Sequence, residues 1–454
     1  MVKRLMLILV ALVIVGIALP AFAEVQNVKV SGDITAFGIS RSGYNLGNVN
    51  KSDDTESHAA SIMRLRVDAD LTENVSTTVR LLNERDWGGN TGDLDGSTVG
   101  TVLIDLAYVS LKEFLYSPLS LTIGRQELHF GNDFIIGDPD TNNQVSGASM
   151  SDADLSSKKA FDAVRATLNY DPLVIDAFWA KIEENNVFGA TGALLAEKDD
   201  VDAFGVNARY DFGGKYKTIG ELYWFGKVDS SNNDIAHLDK KATRVNNIGA
   251  RVEVSPTERL NLQGELAWQF GKTNNVLLTN TVKQNAMAAQ GIARYALDMK
   301  YDPVLMAIYT YYSGNRDNVG GQAWDPMYEN QTAGHIINFL FNASNAHNLN
   351  LRASIVPVKD MTLSLDYVWL NLAQEVSALA VFNPAHTSSG ALTSTNLGKK
   401  HLGDEIDVTL KYDYTEDVQL GLLAGWFKPG NVFTKGGTSV TDVKELIASC
   451  KVSF

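Results

Sequence analysis

The sequence predicts an all-β protein, namely a transmembrane antiparallel up-and-down β-barrel of 18 strands; 16 strands would also fit. Three observations predict this fold. Apolar and polar residues alternate with a period of two from residue 28 to the last residue. Short and long links alternate between the predicted strands. Charged residues are concentrated on one of the two strand faces.

The alternation is clearest from Met63 to Leu71, where every odd position is apolar and every even position is charged. Successive side chains of a strand point to opposite faces, so this pattern predicts one apolar and one charged face. Less strictly charged alternation recurs along the chain. We predict strands at 28–41, 61–71, 75–87, 102–114, 119–130, 160–170, 173–182, 203–212, 216–227, 246–254, 260–271, 291–301, 304–313, 348–356, 361–371, 404–414, 418–428 and 443–454.

The links between these strands sort by length. The short links are rich in turn residues, as in Asp171-Pro172, Gly213-Gly214-Lys215 and Asp302-Pro303. Outer-membrane barrels have short periplasmic turns and long external loops, and soluble β-sandwiches have no reason to sort their loops in this way. Nine long and eight short links predict an even number of strands with both chain ends in the periplasm.

The charge pattern predicts which face meets lipid. In the best-defined strands the apolar phase carries charge only at Arg85 and Asp162, both beside external loops. Arg or Lys facing hydrocarbon at midplane depth costs ~2–4 kcal/mol, so the apolar phase faces lipid and the charged phase lines a wet interior. The residues predicted to face lipid include Leu65, Val67, Leu262, Leu266, Val408 and Leu410.

Aromatic residues support the same orientation, since Trp and Tyr prefer membrane interfaces. Six tryptophans fall near the external ends of strands and predict an outer girdle: Trp87, Trp179, Trp224, Trp268, Trp369 and Trp426. Aromatic residues beside the short turns predict an inner girdle: Tyr170, Tyr210, Phe212, Tyr301, Tyr412 and Tyr414.

The first residues predict export. Lys3 and Arg4 precede an apolar run from Leu5 to Leu19, followed by the small-x-small triplet Ala21-Phe22-Ala23. This pattern predicts a signal peptide at 1–23 and one mature barrel domain at 24–454 in the outer membrane of a Gram-negative-type bacterium. A membrane anchor is the competing interpretation, but the run is shorter than the ~20 residues of a spanning helix.

The last strand ends at Phe454 in an alternating segment that resembles the signal read by the outer-membrane barrel-assembly machinery. Outer-membrane lipid, this machinery and polar or anionic solutes are therefore the expected partners. The formal net charge of −14 argues against nucleic acid as a partner.

Composition and motifs argue against an enzyme. Cys450 is the only cysteine, which excludes an intrachain disulfide. The seven histidines are dispersed and belong to no nucleophile or zinc motif. Asp138-x-Asp140-x-Asn142 has the opening spacing of a calcium loop but lacks its later Gly and Glu. We expect no catalytic residues, no metal and no cofactor.

Arginines at inward positions predict a belt at mid-height in the barrel. The predicted pore-lining residues are Arg64, Arg66, Arg80, Arg125, Arg165, Arg209, Arg251, Arg294 and Arg352. Guanidinium groups pair with carboxylates bidentately, so one hypothesis is a track for anionic sugars or carboxylates. The alternative is that each arginine is neutralised by a carboxylate on the wall, because inward acids are as numerous as inward bases.

Two groups of acids complete the predicted site. A carboxylate ring at the periplasmic rim is predicted from Asp70, Asp211, Glu253 and Asp413. The third external loop, residues 131–159, is predicted to fold into the lumen and form the constriction, with its acids facing Arg64, Arg66 and Arg80. Its acids are Asp133, Asp138, Asp140, Asp152 and Asp154. A loop that caps the barrel from outside is the alternative.

The segment from Ile62 to Leu168 resembles the alginate-export family of outer-membrane barrels. The matching segments are Arg64-Leu65-Arg66, Leu121 to Leu128 with its Gly124-Arg125-Gln126, and Phe161-Asp162-Ala163-Val164-Arg165. At Phe134 an aromatic residue stands where the family usually has a basic one. The resemblance implies an 18-stranded polar channel.

These observations favour a passive channel for small polar or anionic solutes, with saccharides as one candidate class, selected by pore size and wall charge. A dedicated polysaccharide exporter and a closed structural or adhesive surface barrel are the alternative functions.

Overall fold

The computed structural model describes residues 27–44, 55–88, 102–139, 153–184, 187–188, 194–196, 200–230, 242–274, 281–315, 320–331, 333–375, 398–433 and 441–454. Eighteen of its strands form one sheet. We number them β1 Asn27–Ser42, β2 Thr55–Thr72, β3 Val75–Asp86, β4 Leu103–Leu111, β5 Leu119–Glu127, β6 Ala160–Asn169, β7 Leu173–Glu183, β8 Val201–Gly213, β9 Thr218–Asp229, β10 Thr243–Val254, β11 Leu260–Asn274, β12 Thr281–Ala296, β13 Val304–Tyr312, β14 Ala346–Ile355, β15 Met361–Leu372, β16 His401–Asp413, β17 Val418–Pro429 and β18 Val443–Ser453.

The sheet closes into a barrel. Each strand pairs antiparallel with the next, and β18 pairs with β1 from Ser42↔Lys444 to Asp33↔Ser453. Closure removes the sheet edges, so every strand has a hydrogen-bonding neighbour on both sides. The predicted antiparallel 18-stranded barrel is confirmed. A small hairpin of Val187–Phe188 and Leu194–Ala196 lies in the link between β7 and β8.

The largest difference from the predicted strands is at β12, which begins at Thr281 and ends at Ala296 rather than spanning 291–301. The first half of β12 carries polar residues on both faces: Lys283 and Asn285 point outward, while Gln284 is buried inside. That arrangement hides the apolar–polar alternation by which the strand would be predicted from the sequence. The strand ends at Ala296, and Tyr301 and Asp302 adopt positive φ angles in the turn that follows.

Burial separates the two faces of the wall. The buried charged side chains, such as Arg80, Glu221 and Asp366, lie in the inward phase. In the opposite phase Met63, Leu266 and Val408 are exposed at the outer surface. The six residues predicted to face lipid all lie in this outward phase: Leu65, Val67, Leu262, Leu266, Val408 and Leu410.

Both chain ends described by the structure lie at the end of the barrel with short turns. Asn27 pairs with Asp70 beside the β2–β3 turn, and Phe454 exchanges backbone hydrogen bonds with Gly32 at 2.8 and 3.0 Å. Exposed Tyr210, Phe212 and Tyr414 lie at the same end, as predicted for the inner girdle. Exposed Trp179, Trp224, Trp268 and Trp426 lie toward the opposite end of their strands.

A short α-helix, α1, runs from His335 to Leu340 between β13 and β14. Within the described ranges, no helix has the length and apolar character needed to cross a membrane.

Adjacent residues on β16 provide a test of the two faces. Val408 points outward and Thr409 points inward at the middle of the strand. We expect Val408→Arg to lower the free energy of unfolding by about 2–4 kcal/mol, because it places a charge in hydrocarbon. Urea unfolding in lipid vesicles measures this change. Thr409→Arg is the matched control and should cost much less; equal losses at both positions would contradict the assignment of the faces.

Candidate functional site in the barrel lumen

The lumen is too wide for wall side chains to fill. Eighteen strands spaced ~4.8 Å apart and tilted by ~40° enclose a backbone cylinder about 35 Å across. The described parts of two long external loops enter this space: the third loop, residues 128–159 after β5, and the seventh loop, residues 313–345 after β13. Their buried apolar residues form one cluster with the inner side of the wall. The bore is therefore determined by loops as well as by strands.

The first part of the third loop crosses the lumen. Phe130 stacks on Phe178 of β7 and lies 5.3 Å from Phe225 of β9, measured between ring centroids. Asn132 donates a hydrogen bond to Gln263 of β11 at 2.7 Å and accepts one from Arg251 of β10 at 3.1 Å. Arg251 and Gln263 each lie three residues from a short turn, about 8 Å along the barrel axis. The loop reaches the periplasmic half of the lumen.

The seventh loop locks onto the third through backbone hydrogen bonds. Ile136 and Tyr328 form an isolated parallel bridge. The amides of Gly137 and Asp138 both donate to the Tyr328 carbonyl, at 2.7 and 2.9 Å. The Asn330 amide donates to the Asp133 carbonyl at 2.9 Å. Asp133 has a φ of 58° at this contact. The two loops therefore form one structural unit.

Buried acids on β16 hold α1 of the seventh loop against the wall. The carboxylate of Glu405 accepts hydrogen bonds from the amides of Ile336 and Ile337 at 2.8 and 2.7 Å. Asp407 accepts one from the His335 amide at 3.3 Å. These amides open the helix, where backbone donors have no partner inside the helix. No local pattern in the sequence predicts this docking.

The second part of the third loop is attached to the opposite wall. Asp154 binds both terminal nitrogens of Arg41 on β1, at 3.0 and 2.6 Å, and Arg41 also binds Glu445 of β18 at 2.7 Å. Ser156 and the amide of Ser157 donate to Glu84 of β3 at 2.9 and 2.6 Å. The described parts of this loop thus contact both sides of the barrel interior.

Acids of the third loop do not face the arginines that the sequence suggested. Asp133 accepts from His129, Asp138 pairs with Lys159, and Asp154 pairs with Arg41. Asp140 and Asp152 lie outside the described residues. For Asp133, Asp138 and Asp154 the predicted field facing Arg64, Arg66 and Arg80 is therefore wrong, because each of these arginines pairs instead with an acid on the wall or at a strand end.

Six predicted pore-lining arginines point inward and are paired with acids. Arg80 pairs with Asp105 and Glu127, and Arg251 with Glu221 and Glu253. The other four pairs are Arg64 with Asp33, Arg66 with Asp68, Arg165 with Asp176, and Arg352 with Asp366. The side chains of Arg66 and Arg352 remain 37% and 41% exposed to the lumen, whereas those of Arg80 and Arg251 are nearly buried. Most of the belt is therefore charge-balanced.

Arg125 differs from its predicted place. It pairs with Asp162 at 3.0 Å on the face that also carries exposed Ile123 and Val164. That face is the outer surface of the barrel. The prediction that Arg125 lines the pore is wrong because its strand phase points it outward near the external end of β5.

Arg209 and Arg294 are the exceptions within the belt. Both lie in the inward phase, on β8 and β12, and Arg294 is exposed to the lumen. Across the part of the chain that the structure describes, neither has an ion-pair partner; Glu221, the residue opposite Arg209, is bound to Arg251 instead. These two guanidinium groups are available to a solute.

The predicted rim acids have different surroundings. Asp70, Asp211 and Asp413 are exposed at the ends of their strands, and Asp211 accepts a hydrogen bond from the Gly213 amide at 2.8 Å. Glu253 is half-buried and bound to Arg251 at 2.6 Å. A role of these acids in attracting solutes stays a prediction.

Glu329 and His129 are among the loop residues whose pKa values are shifted. Burial raises the pKa of Glu329, in the seventh loop, to about 8, with a further contribution from Asp138. The hydrogen bond to Asp133 raises the pKa of His129 in the third loop. With a pKa of about 8, Glu329 is largely protonated at neutral pH, so the interlocked loops bury a neutral carboxyl group.

The inward folding of the seventh loop is not predicted from the sequence. Its apolar residues, including Trp324, Met327 and Tyr328, are buried against the third loop and the wall. Trp324 was the one tryptophan outside the predicted girdle. A large aromatic residue far from any strand end was the available signal that this loop is not exposed.

The closed barrel, its apolar outer band and its polar, loop-narrowed lumen define an outer-membrane protein of the porin type. More particularly, the chain belongs to the alginate export family, whose model matches residues 40–444. This result confirms the resemblance seen in the sequence.

Solved structures share the fold along nearly the whole chain. OccAB4 of Acinetobacter baumannii aligns with a TM-score of 0.57 and 12% identity, covering 95% of this chain and 99% of that one. Two Pseudomonas aeruginosa proteins align over the same shares at 14% identity: OccK2 (OpdF) in complex with glucuronate, with a TM-score of 0.54, and OpdQ, with 0.56. No curated protein sequence matches this chain.

Glu329 gives the docked loops a pH dependence. Its pKa is about 8 when buried and near the ordinary value of 4.5 when the loop is released. Docking of the loops in the lumen is therefore most favourable below pH 4.5. It weakens as the pH rises toward about 8, since release of the loop lets the Glu329 carboxyl ionise. We expect single-channel conductance to rise over this interval. Glu329→Gln should flatten the dependence, and Glu258→Gln on a periplasmic turn should not; an unchanged slope in Glu329→Gln would contradict this role.

Proposed function

We propose that the protein is a passive channel for small polar solutes with a preference for anions, and that it selects by the bore left by its two inner loops and by wall charge. The unpaired, inward-facing Arg209 and Arg294 are the observation that carries the anion preference. An arginine without an acidic partner can bind a solute carboxylate without first breaking an ion pair.

One structural neighbour and the family description both favour uronates as the solute class. A structural neighbour, OccK2 (OpdF), was solved in complex with glucuronate, and the family to which the chain belongs carries the description alginate export. A uronate combines a carboxylate with hydroxyl groups. The exposed sides of the Arg66 and Arg352 ion pairs could hydrogen-bond such hydroxyl groups beside the free guanidinium groups.

Export of a polyuronate chain is the second candidate, and the family description favours it. The interlocked third and seventh loops argue against a permanently wide conduit, because they cross the lumen and bind both walls. An exporter of this design would need both loops to move together. A closed structural barrel is the third alternative, and it would show no conductance.

The two ends of the chain concern how the protein itself is secreted and assembled in the membrane. We propose that residues 1–23, which lie outside the described residues, are removed as a signal peptide during export. We also propose that the assembly machinery reads β18 together with the next residue, Phe454, which is 60% exposed at the periplasmic rim. The channel is proposed to act without catalysis, metal or cofactor.

Neutralising the free arginines tests the anion preference. In Arg209→Gln/Arg294→Gln the ratio of anion permeability to cation permeability should fall by about fivefold or more. One charge ~8 Å from an ion contributes about 0.5 kcal/mol even in water, and this contribution has opposite signs for anions and cations. Reversal potentials in a salt gradient measure the ratio. The shift should shrink at high salt. The Debye length is ~8–10 Å near physiological ionic strength and becomes shorter as the salt concentration rises, so the arginine charges are screened more strongly.

The matched control for this experiment is Arg352→Gln/Asp366→Asn, which removes an inward arginine and its acid together. The net charge of the wall is unchanged, so the reversal potential should stay near that of the natural protein. An equal shift in both double variants, or none in Arg209→Gln/Arg294→Gln, would contradict the assignment of selectivity to the unpaired arginines.

Solute length separates the porin from the exporter. We expect glucuronate to enter proteoliposomes that contain the protein, and uronate oligomers to enter progressively more slowly, because a narrow bore restricts long solutes. Uptake of a neutral hexose of similar size is the control for charge. Fast passage of long polyuronate chains, with little passage of the monomer, would favour the exporter.

A further inference from the structure

The outer surface of the barrel carries a row of charged residues at the external end of β5 to β12. In this row, cross-strand register places Arg125 beside Asp162, Asp162 beside Lys181, and Lys181 beside Asp202. The charges alternate in sign. Arg125 pairs with Asp162 at 3.0 Å, and Lys181 pairs with Asp202 at 3.1 Å.

The same row becomes entirely basic after β9. Asp202 is opposite Val228, and Val228 is opposite Arg244. Arg244 pairs in register with Lys272, and Lys272 with Lys283. All three side chains are exposed. Considering only the described residues, none of the three forms an ion pair, so three positive charges stand side by side without compensation on adjacent strands.

The residues below this basic row indicate its depth in the membrane. Four residues further into the membrane, the same face carries Ile248, Trp268 and Met287, which are 50%, 48% and 51% exposed. Trp268 belongs to the outer girdle and donates a hydrogen bond to Asn285 at 2.9 Å. Tryptophan girdles lie at the headgroup level, so the basic row lies just outside it, among the polar groups of the outer leaflet.

The surface below the girdle can accommodate acyl chains. Gly264 and Gly291 are paired in register on β11 and β12, and there is open space where a side chain of either would lie. Leu266, between this depression and Trp268, is 64% exposed. An amphiphile with its anionic group at the basic row would therefore have an apolar surface beneath it on the same two strands.

We propose that Arg244, Lys272 and Lys283 form a binding site for the phosphate groups of an acylated glycolipid in the outer leaflet. Phosphate matches the site because guanidinium and ammonium groups form short charge-assisted hydrogen bonds to its oxygens. Three cations on neighbouring strands suit an anion with more than one charge. The lipid would attach to the outside of β10 to β12, away from the solute pathway.

The test uses the full barrel in detergent with a phosphorylated, acylated disaccharide lipid as the probe. Bound lipid is counted by native mass spectrometry. Arg244→Gln/Lys272→Gln/Lys283→Gln should weaken binding by about 100-fold, at about fivefold for each cation near an anionic headgroup. The control is Lys215→Gln/Lys217→Gln/Lys359→Gln, which makes the same charge change on periplasmic turns and should leave binding unchanged.

Two further probes identify the ligand chemistry. The dephosphorylated lipid and inorganic phosphate should both bind far more weakly than the phosphorylated lipid. Equal binding of the dephosphorylated lipid would overturn the phosphate site, equal binding of inorganic phosphate would overturn the lipid assignment, and equal loss in both triple variants would overturn the location. Because all six positions lie outside the lumen, conductance should be unchanged, which separates failure of this site from failure of the proposed channel function.

Discussion

The structure depends on one constraint: within hydrocarbon, every backbone N–H and C=O must be paired by the protein itself. The pairing of β18 with β1 satisfies this constraint by removing the last two sheet edges. Closure then requires an even number of antiparallel strands when both chain ends lie on one side. It also forces each strand to present alternate residues to lipid and to water. The apolar band, the charged lumen and the short periplasmic turns all follow from closure.

Eighteen strands solve the backbone problem but leave a lumen that wall side chains cannot fill. The protein fills part of it with two loops that share a buried cluster including Phe134, Trp324 and Tyr328. Apolar residues inside a wet barrel are stable there because they pack on each other and on small inward residues such as Ala203 and Ala288. Buried acids on β16 supply the polar contacts that hold α1 in place. The space left open in the lumen thus depends on the docked loops as well as on the barrel that supports them.

Charge is organised by the same strand register on both faces. Inside, most arginines are matched by an acid on the same or a neighbouring strand, which limits the net field in the lumen and leaves Arg209 and Arg294 as exceptions. Outside, the row near the external end is balanced from β5 to β8 and purely basic from β10 to β12. In both places the informative residues are those that break the local pattern of pairing, because an uncompensated charge near a solute or a lipid headgroup can bind an ion.

The sequence by itself determined the barrel, its orientation and the faces of strands such as 63–71, and it limited the strand number to 18 or 16, because a two-residue period and the sorting of turn lengths are local properties of the chain. It also indicated the family from residues such as Gly124-Arg125-Gln126. Only the tertiary structure decided which acid neutralises each arginine, that Arg125 points outward, and that the seventh loop interlocks with the third through Ile136 and Tyr328. Those contacts join residues far apart in the chain, as in the pairing of Arg41 with Glu445, and depend on strand stagger and loop paths that no local pattern encodes.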